Sequence, residues 1–160
     1  MKCFVFFIFL FFGAFYGSEA FAETRLVTAA DPEAILEVAK GYGRASLGKD
    51  SQGDPHIEGK MGGLLYQIVF HYCTQGANCK SIQFFAGWRK TQKEVPLDVI
   101  NKWNSERLFA YSVRDKEGQI RLLMDVFFPY GMTEELLDSY FSVWEILMKE
   151  FHATVMEKFS

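Results

Sequence analysis

Two cysteines, Cys73 and Cys79, stand at the inner ends of two alternating apolar stretches, Gly63 to Cys73 and Cys79 to Lys90. No other feature constrains the fold as tightly. If Thr74 to Asn78 form a loop, an antiparallel register pairs Phe70 with Ile82, Ile68 with Phe84, Tyr66 with Ala86 and Leu64 with Trp88. All four pairs are apolar and share one face. The other face carries Cys73 with Cys79, His71 with Ser81, Val69 with Gln83 and Gln67 with Phe85, which is mixed. Side chains alternate with a period of two, so a slip of one residue would scramble both faces. Hydrophobic pattern and cysteine position select the same register. Cross-strand cysteines lie close enough to bond, so a disulfide between Cys73 and Cys79 is expected.

The flanking chain supplies helices and further strands. Asp31-Pro32-Glu33 reads as a helix N-cap, a proline at the first helical position and an acid in the first turn. Ile35, Leu36 and Ala39 give that helix an apolar stripe, and Gly41 and Gly43 end it. Short strands at 44–49 and 55–60 flank a polar loop from Asp50 to Pro55. Pro96 to Arg107 is expected as a helix that buries Leu97, Val99, Ile100 and Trp103. A second hairpin runs from Leu108 to Phe128 through the turn Asp115 to Gly118. In its return strand Ile120, Leu122, Met124, Val126 and Phe128 alternate with Arg121, Leu123, Asp125 and Phe127. A last helix opens at Met132 or Thr133, and its long stripe includes Leu137, Tyr140, Phe141, Trp144, Phe151, Val155 and Phe159. The expected class is α+β: an antiparallel sheet with helices packed on it, in the order α-β-β-β-α-β-β-α.

The N-terminus points to export. Lys2 is followed by an apolar run from Cys3 to Phe12, then small residues, then Ala20-Phe21-Ala22, which fits a signal peptide cleaved after Ala22. The apolar run is too short to span a bilayer. Residues 1–22 are thus expected as a signal peptide, 23–30 as a leader and 31–160 as one domain, located in the periplasm or secreted. Cleavage removes Lys2 and Glu19 together, so the net charge stays at −3. With no basic surplus, nucleic acid is not an expected partner. No later run is long and apolar enough to cross a membrane, so no membrane span is expected after cleavage. Cys3 leaves with the signal, and the oxidising compartment suits a disulfide between the two cysteines that remain.

No motif for chemistry emerges. His56, His71 and His152 lack metal-ligand spacing, and His71 near Cys73 and Cys79 is read with the cysteines oxidised rather than metal-bound. Gly41-Tyr42-Gly43 and Gly62-Gly63 open no helix, so they are turns rather than phosphate cradles. Asp50 and Asp54 are too few for a calcium loop. Trp88, Trp103, Trp144 and Tyr140 fit core spacing, although Trp88 and Trp103 could border a pocket. Asn101 and Asn104 flank Trp103 in a helix, where one of them is expected to bond backbone nearby. Catalytic residues, metal ligands and cofactors are therefore expected to be none. The candidate site is the mixed sheet face: Gln67, Val69, Gln83, Phe85, Leu123 and Phe127.

Several segments together resemble the YbjN family of bacterial sensory transduction regulators. They are Asp54-Pro55-His56-Ile57-Glu58-Gly59; Gly63, Tyr66 and Phe70; Cys73 and Cys79; Ile82-Gln83-Phe84-Phe85-Ala86-Gly87-Trp88; Ile100-Asn101-Lys102-Trp103-Asn104; and Asp115 with Gly118 before the strand ending near Asp125. The resemblance covers roughly residues 31–155 and implies a fold similar to the type III secretion chaperones. It implies no enzymatic activity and carries over no catalytic residue. The expected function is an exported, non-enzymatic binding or regulatory module for a protein or peptide partner, with a second copy of the chain as one such partner. The alternative is a periplasmic sensor of a small-molecule or envelope ligand.

Overall fold

A computed structural model describes residues 26–88 and 93–160. The proposed signal peptide lies outside the described residues. Helix α1 (Pro32–Gly41) starts where Asp31 accepts a hydrogen bond from the Ala34 amide. Strands β1 (Gly43–Lys49), β2 (Pro55–Met61), β3 (Leu64–His71) and β4 (Ser81–Trp88) follow. Next come α2 (Leu97–Glu106), β5 (Tyr111–Arg114), β6 (Ile120–Phe127) and α3 (Glu134–Phe151). The class is α+β, and four strands rather than three precede α2. All six strands form one antiparallel sheet in the order β1-β2-β3-β4-β6-β5.

Local chemistry sets the turns. Asp50 accepts from the amides of Gln52 and Asp54, so its carboxylate closes the β1–β2 loop. Gly62 and Gly63 both have positive φ, which a two-residue hairpin between Met61 and Leu64 requires. Between β3 and β4 the register pairs Phe70 with Ile82, Ile68 with Phe84 and Gln67 with Phe85. The ladder ends at that last pair, so Tyr66–Ala86 and Leu64–Trp88 lie beyond the bonded residues. A disulfide joins Cys73 to Cys79, with Cα atoms 3.8 Å apart.

All helices pack on the face of Ile68, Phe84 and Leu122. On α3, Phe141 meets the Phe84 ring edge-on at 4.9 Å between centroids, and Trp144 lies 5.6 Å from it. Helix α1 joins this layer through Tyr42, whose ring stacks on Phe141 at 5.4 Å. Its hydroxyl donates to Asp138. Helix α2 buries Ile100 and Trp103, whereas Leu97, expected in the core, is exposed at the helix start. Three residues turn a helix by about 300°, so each such step shifts a side chain by about 60° and leaves Leu97 at the margin of a stripe set by Ile100 and Trp103.

Two long-range features depart from the expected pattern. Residues 27–30 are part of the fold: Val27 and Met132 exchange both backbone hydrogen bonds, and Val27 and Ala29 are buried. The last helix does not continue uniformly, because residues His152–Met156 form a π-helical turn before Glu157–Phe159. Val155 and Met156 are buried through that turn, which re-aims the stripe by an inserted residue.

Candidate functional site

Among the described residues every helix lies on one side of the sheet, and none covers the opposite side. Its residues lie in rows that the register defines. Ser46, Glu58, Gln67, Phe85, Leu123 and Tyr111 form one row across all six strands. The next row is His56, Val69, Gln83 and Asp125, and the third is His71, Ser81 and Phe127. The six candidate residues, Gln67, Val69, Gln83, Phe85, Leu123 and Phe127, therefore share one face in adjacent rows.

Apolar and polar groups alternate on this face. Phe85 lies along its own strand, close enough to Gly87 that a Cβ there would meet the ring at 3.0 Å. Phe127 is 67% exposed and touches Tyr72 edge-on, with ring centroids 6.3 Å apart. Beside them Gln83 Nε2 donates to Asp125 Oδ1 at 2.6 Å, and the Tyr111 hydroxyl donates to Oδ2 at 3.1 Å. Partial burial pushes the Tyr111 phenol above its ordinary range, and its bond to the Asp125 carboxylate adds to that. An ion pair between Arg121 and Asp115 at 2.6 Å closes the β5–β6 end.

A hollow of about 800 Å³ opens at the third row, lined by His71, Tyr72, Lys80, Ser81, Gln83, Asp125 and Phe127. Leu65 and Tyr111 belong to the face as well, and strict alternation identifies both. Tyr72 follows no such rule. By alternation it belongs with Phe70 on the helix side, but its φ of +55° turns it onto the open face against Phe127. A side chain at positive φ breaks the period-two pattern that sequence reading relies on.

Of the remaining candidates, His56 and His71 stay on this face and the others separate from it. His71 lies in the hollow, while the two cysteines are consumed by the disulfide, which leaves no thiolate for a metal. Among the described residues no cluster of three or more His, Cys, Asp or Glu side chains could hold a metal ion. Nor is any described helix long and apolar enough to cross a membrane. Trp88 and Trp103 do not border a shared pocket, because Phe151 packs on both, at 5.3 and 4.9 Å between centroids. A separate groove of about 380 Å³ lies beyond Trp103, beside Lys102, Arg107, Lys158 and Phe159. Asn104 bonds backbone in both directions: its Nδ2 donates to Ser112 O at 3.0 Å and its Oδ1 accepts from Ser112 N at 2.7 Å. That amide ties α2 to the edge strand β5, which makes it structural.

No curated protein matches the chain. The YbjN family, described as "Putative bacterial sensory transduction regulator", matches residues 31–157, which takes in every strand and the open face. An α+β sheet of this register, matched over most of its length, belongs to the YbjN family.

Proposed function

We propose that the chain is an exported, non-enzymatic regulatory module that holds a protein or peptide partner on its open sheet face. One observation carries this reading. Phe127 stands exposed, with Phe85 and Leu123 half-buried beside it among hydrogen-bonding side chains, while the described helices pack on the opposite face. Such a mixed apolar and polar surface suits an interface core with adaptable hydrogen bonds. The family's description as a regulator supports a partner that is itself a protein. The disulfide supports an oxidising compartment and hence cleavage after Ala22.

The experiment is purification of the protein from periplasm of its natural host, with intact mass and copurifying species measured together. The mass is expected to begin at Glu23, with a partner or second copy at fixed stoichiometry. Phe85→Lys with Phe127→Lys should leave a folded protein that no longer holds it. A mature chain beginning at Met1 overturns export, and a double variant that keeps its partner overturns the face. The groove beside Trp103 favours a second reading, a sensor of a small envelope ligand. A retained small molecule in place of a protein would select it.

A further inference from the structure

The hollow at the third row has a chemistry of its own. One wall is apolar: Tyr72 and Phe127 stand against each other and are 72% and 67% exposed. The floor is polar, with the Ser81 side chain nearly fully buried and His71 Nε2 buried without a hydrogen-bond partner. A buried donor or acceptor without a partner is unfavourable, and a bound group that supplies one relieves it. At one end is Lys80, which has no ion-pair partner among the described residues. At the other end is Asp125, whose oxygens accept from Gln83 and Tyr111.

The presentation is rigid. Lys80 and Tyr72 sit just outside the strand ladder, where the Lys80 amide bonds His71 O at 3.1 Å and the disulfide closes the loop behind them. Tyr72 keeps a positive φ there, a conformation that bulky residues adopt only when the surroundings impose it. A cation on an anchored backbone, an aromatic wall and an acidic end, in that order along the face, select an amphoteric ligand of extended shape.

We propose that this hollow binds the free C-terminus of a polypeptide whose last residue is apolar. The inference rests on the partner-binding reading and names what that partner presents. The terminal carboxylate sits on Lys80, with Ser81 and His71 beneath it. The last side chain lies on Tyr72 and Phe127. The Ser81–Phe127 and Gln83–Asp125 rows are neighbours on one face, about 7 Å apart at ordinary strand rise. Two residues of extended peptide span that distance, so a basic side chain two positions before the end reaches Asp125.

The test uses the full chain and an octapeptide carrying fluorescein at its N-terminus and ending in Lys-Ser-Leu. Its free acid and its C-terminal amide are compared by fluorescence anisotropy. The acid should bind about tenfold tighter, as expected for one charge-assisted hydrogen bond to an ammonium. Lys80→Gln should abolish the difference, and Phe127→Ser should weaken both forms. Equal binding of acid and amide to the natural chain overturns the proposal and needs no variant. So does displacement of both peptides by a cell-wall disaccharide fragment, which would assign the hollow to a glycan. If acid and amide bind alike while the Phe85→Lys, Phe127→Lys variant loses its partner, the carboxylate site fails and the partner face stands. If discrimination holds while that variant keeps its partner, the hollow still selects a carboxylate but the partner is held elsewhere, which overturns the proposal that the hollow takes that partner's C-terminus.

Discussion

Tyr66 offers the sharpest test of the core, because its ring and its hydroxyl have opposite effects. The residue pairs with Gly59 on β2, and its ring occupies the space that a side chain at that glycine would need. It is 2% exposed, and its hydroxyl is buried with no hydrogen-bond partner. Burial alone pushes the phenol from its ordinary value of 10.0 up to about 12. Tyr66→Phe keeps the ring and removes the orphan oxygen. A buried unsatisfied polar group costs about 1–3 kcal/mol, so the variant should be more stable by about 1 kcal/mol at neutral pH. The pH dependence provides an independent reading. Because the folded value is raised, the unfolded chain loses this proton first as pH rises through 10. Below pH 10 the contribution is constant; between 10 and 12 the natural protein should lose about 1.4 kcal/mol per pH unit relative to the variant. The full loss approaches about 2–3 kcal/mol, a ceiling that partial water access would lower. Reversible urea unfolding of both proteins from pH 7 to 11, with the disulfide intact, measures the difference directly. A variant less stable by more than about 1 kcal/mol would show that the hydroxyl has a partner. A difference that stays flat to pH 11 would show that Tyr66 is not desolvated.

Two further changes test the staples of the sheet. Cys73→Ser opens a short loop and should lower stability by about 2 kcal/mol by chain entropy, yet far-ultraviolet circular dichroism should remain that of the folded protein. Unfolding of that variant would mean that the Phe70–Ile82 and Ile68–Phe84 pairs do not hold the hairpin alone. Asn104→Ala removes both bonds to Ser112 and leaves that backbone without its partner, a loss of about 1–3 kcal/mol. Hydrogen exchange should quicken in β5 but not in β3 or β4; uniform quickening would refute the local role.

Much of this fold is legible because its determinants are local. Alternation over residues 64–71 and 81–88, with a loop bounded by cysteines, leaves one register that keeps both faces intact, and the structure shows that register. The Asp31 cap of α1 and the Thr133 cap of α3 follow from hydrogen-bonding groups within a few residues of one another, and α2 begins directly after Pro96. The same alternation puts the six candidate residues on one face, since parity along each strand is all that face membership needs. Whether the face stays open is a different matter, because amphipathic helices of this length could cover either side. Packing of Phe141 and Trp144 on Phe84 decides which side the described helices take.

Tertiary structure alone supplies the rest. Placing β6 next to β4, with β5 at the edge, joins Gln83 to Asp125 and Phe85 to Leu123. No periodicity within a strand specifies which strand becomes its neighbour. Trp88 and Trp103 are separated by Phe151, a residue far along the chain, so the pocket their spacing suggested is filled. Tyr72 joins Phe127 because the closed loop holds it at positive φ, against its own intrinsic preference. Local pattern determines which side of a strand a residue faces. The company it keeps there is set by contacts between distant segments, whose combined burial outweighs the conformational preference of any single residue.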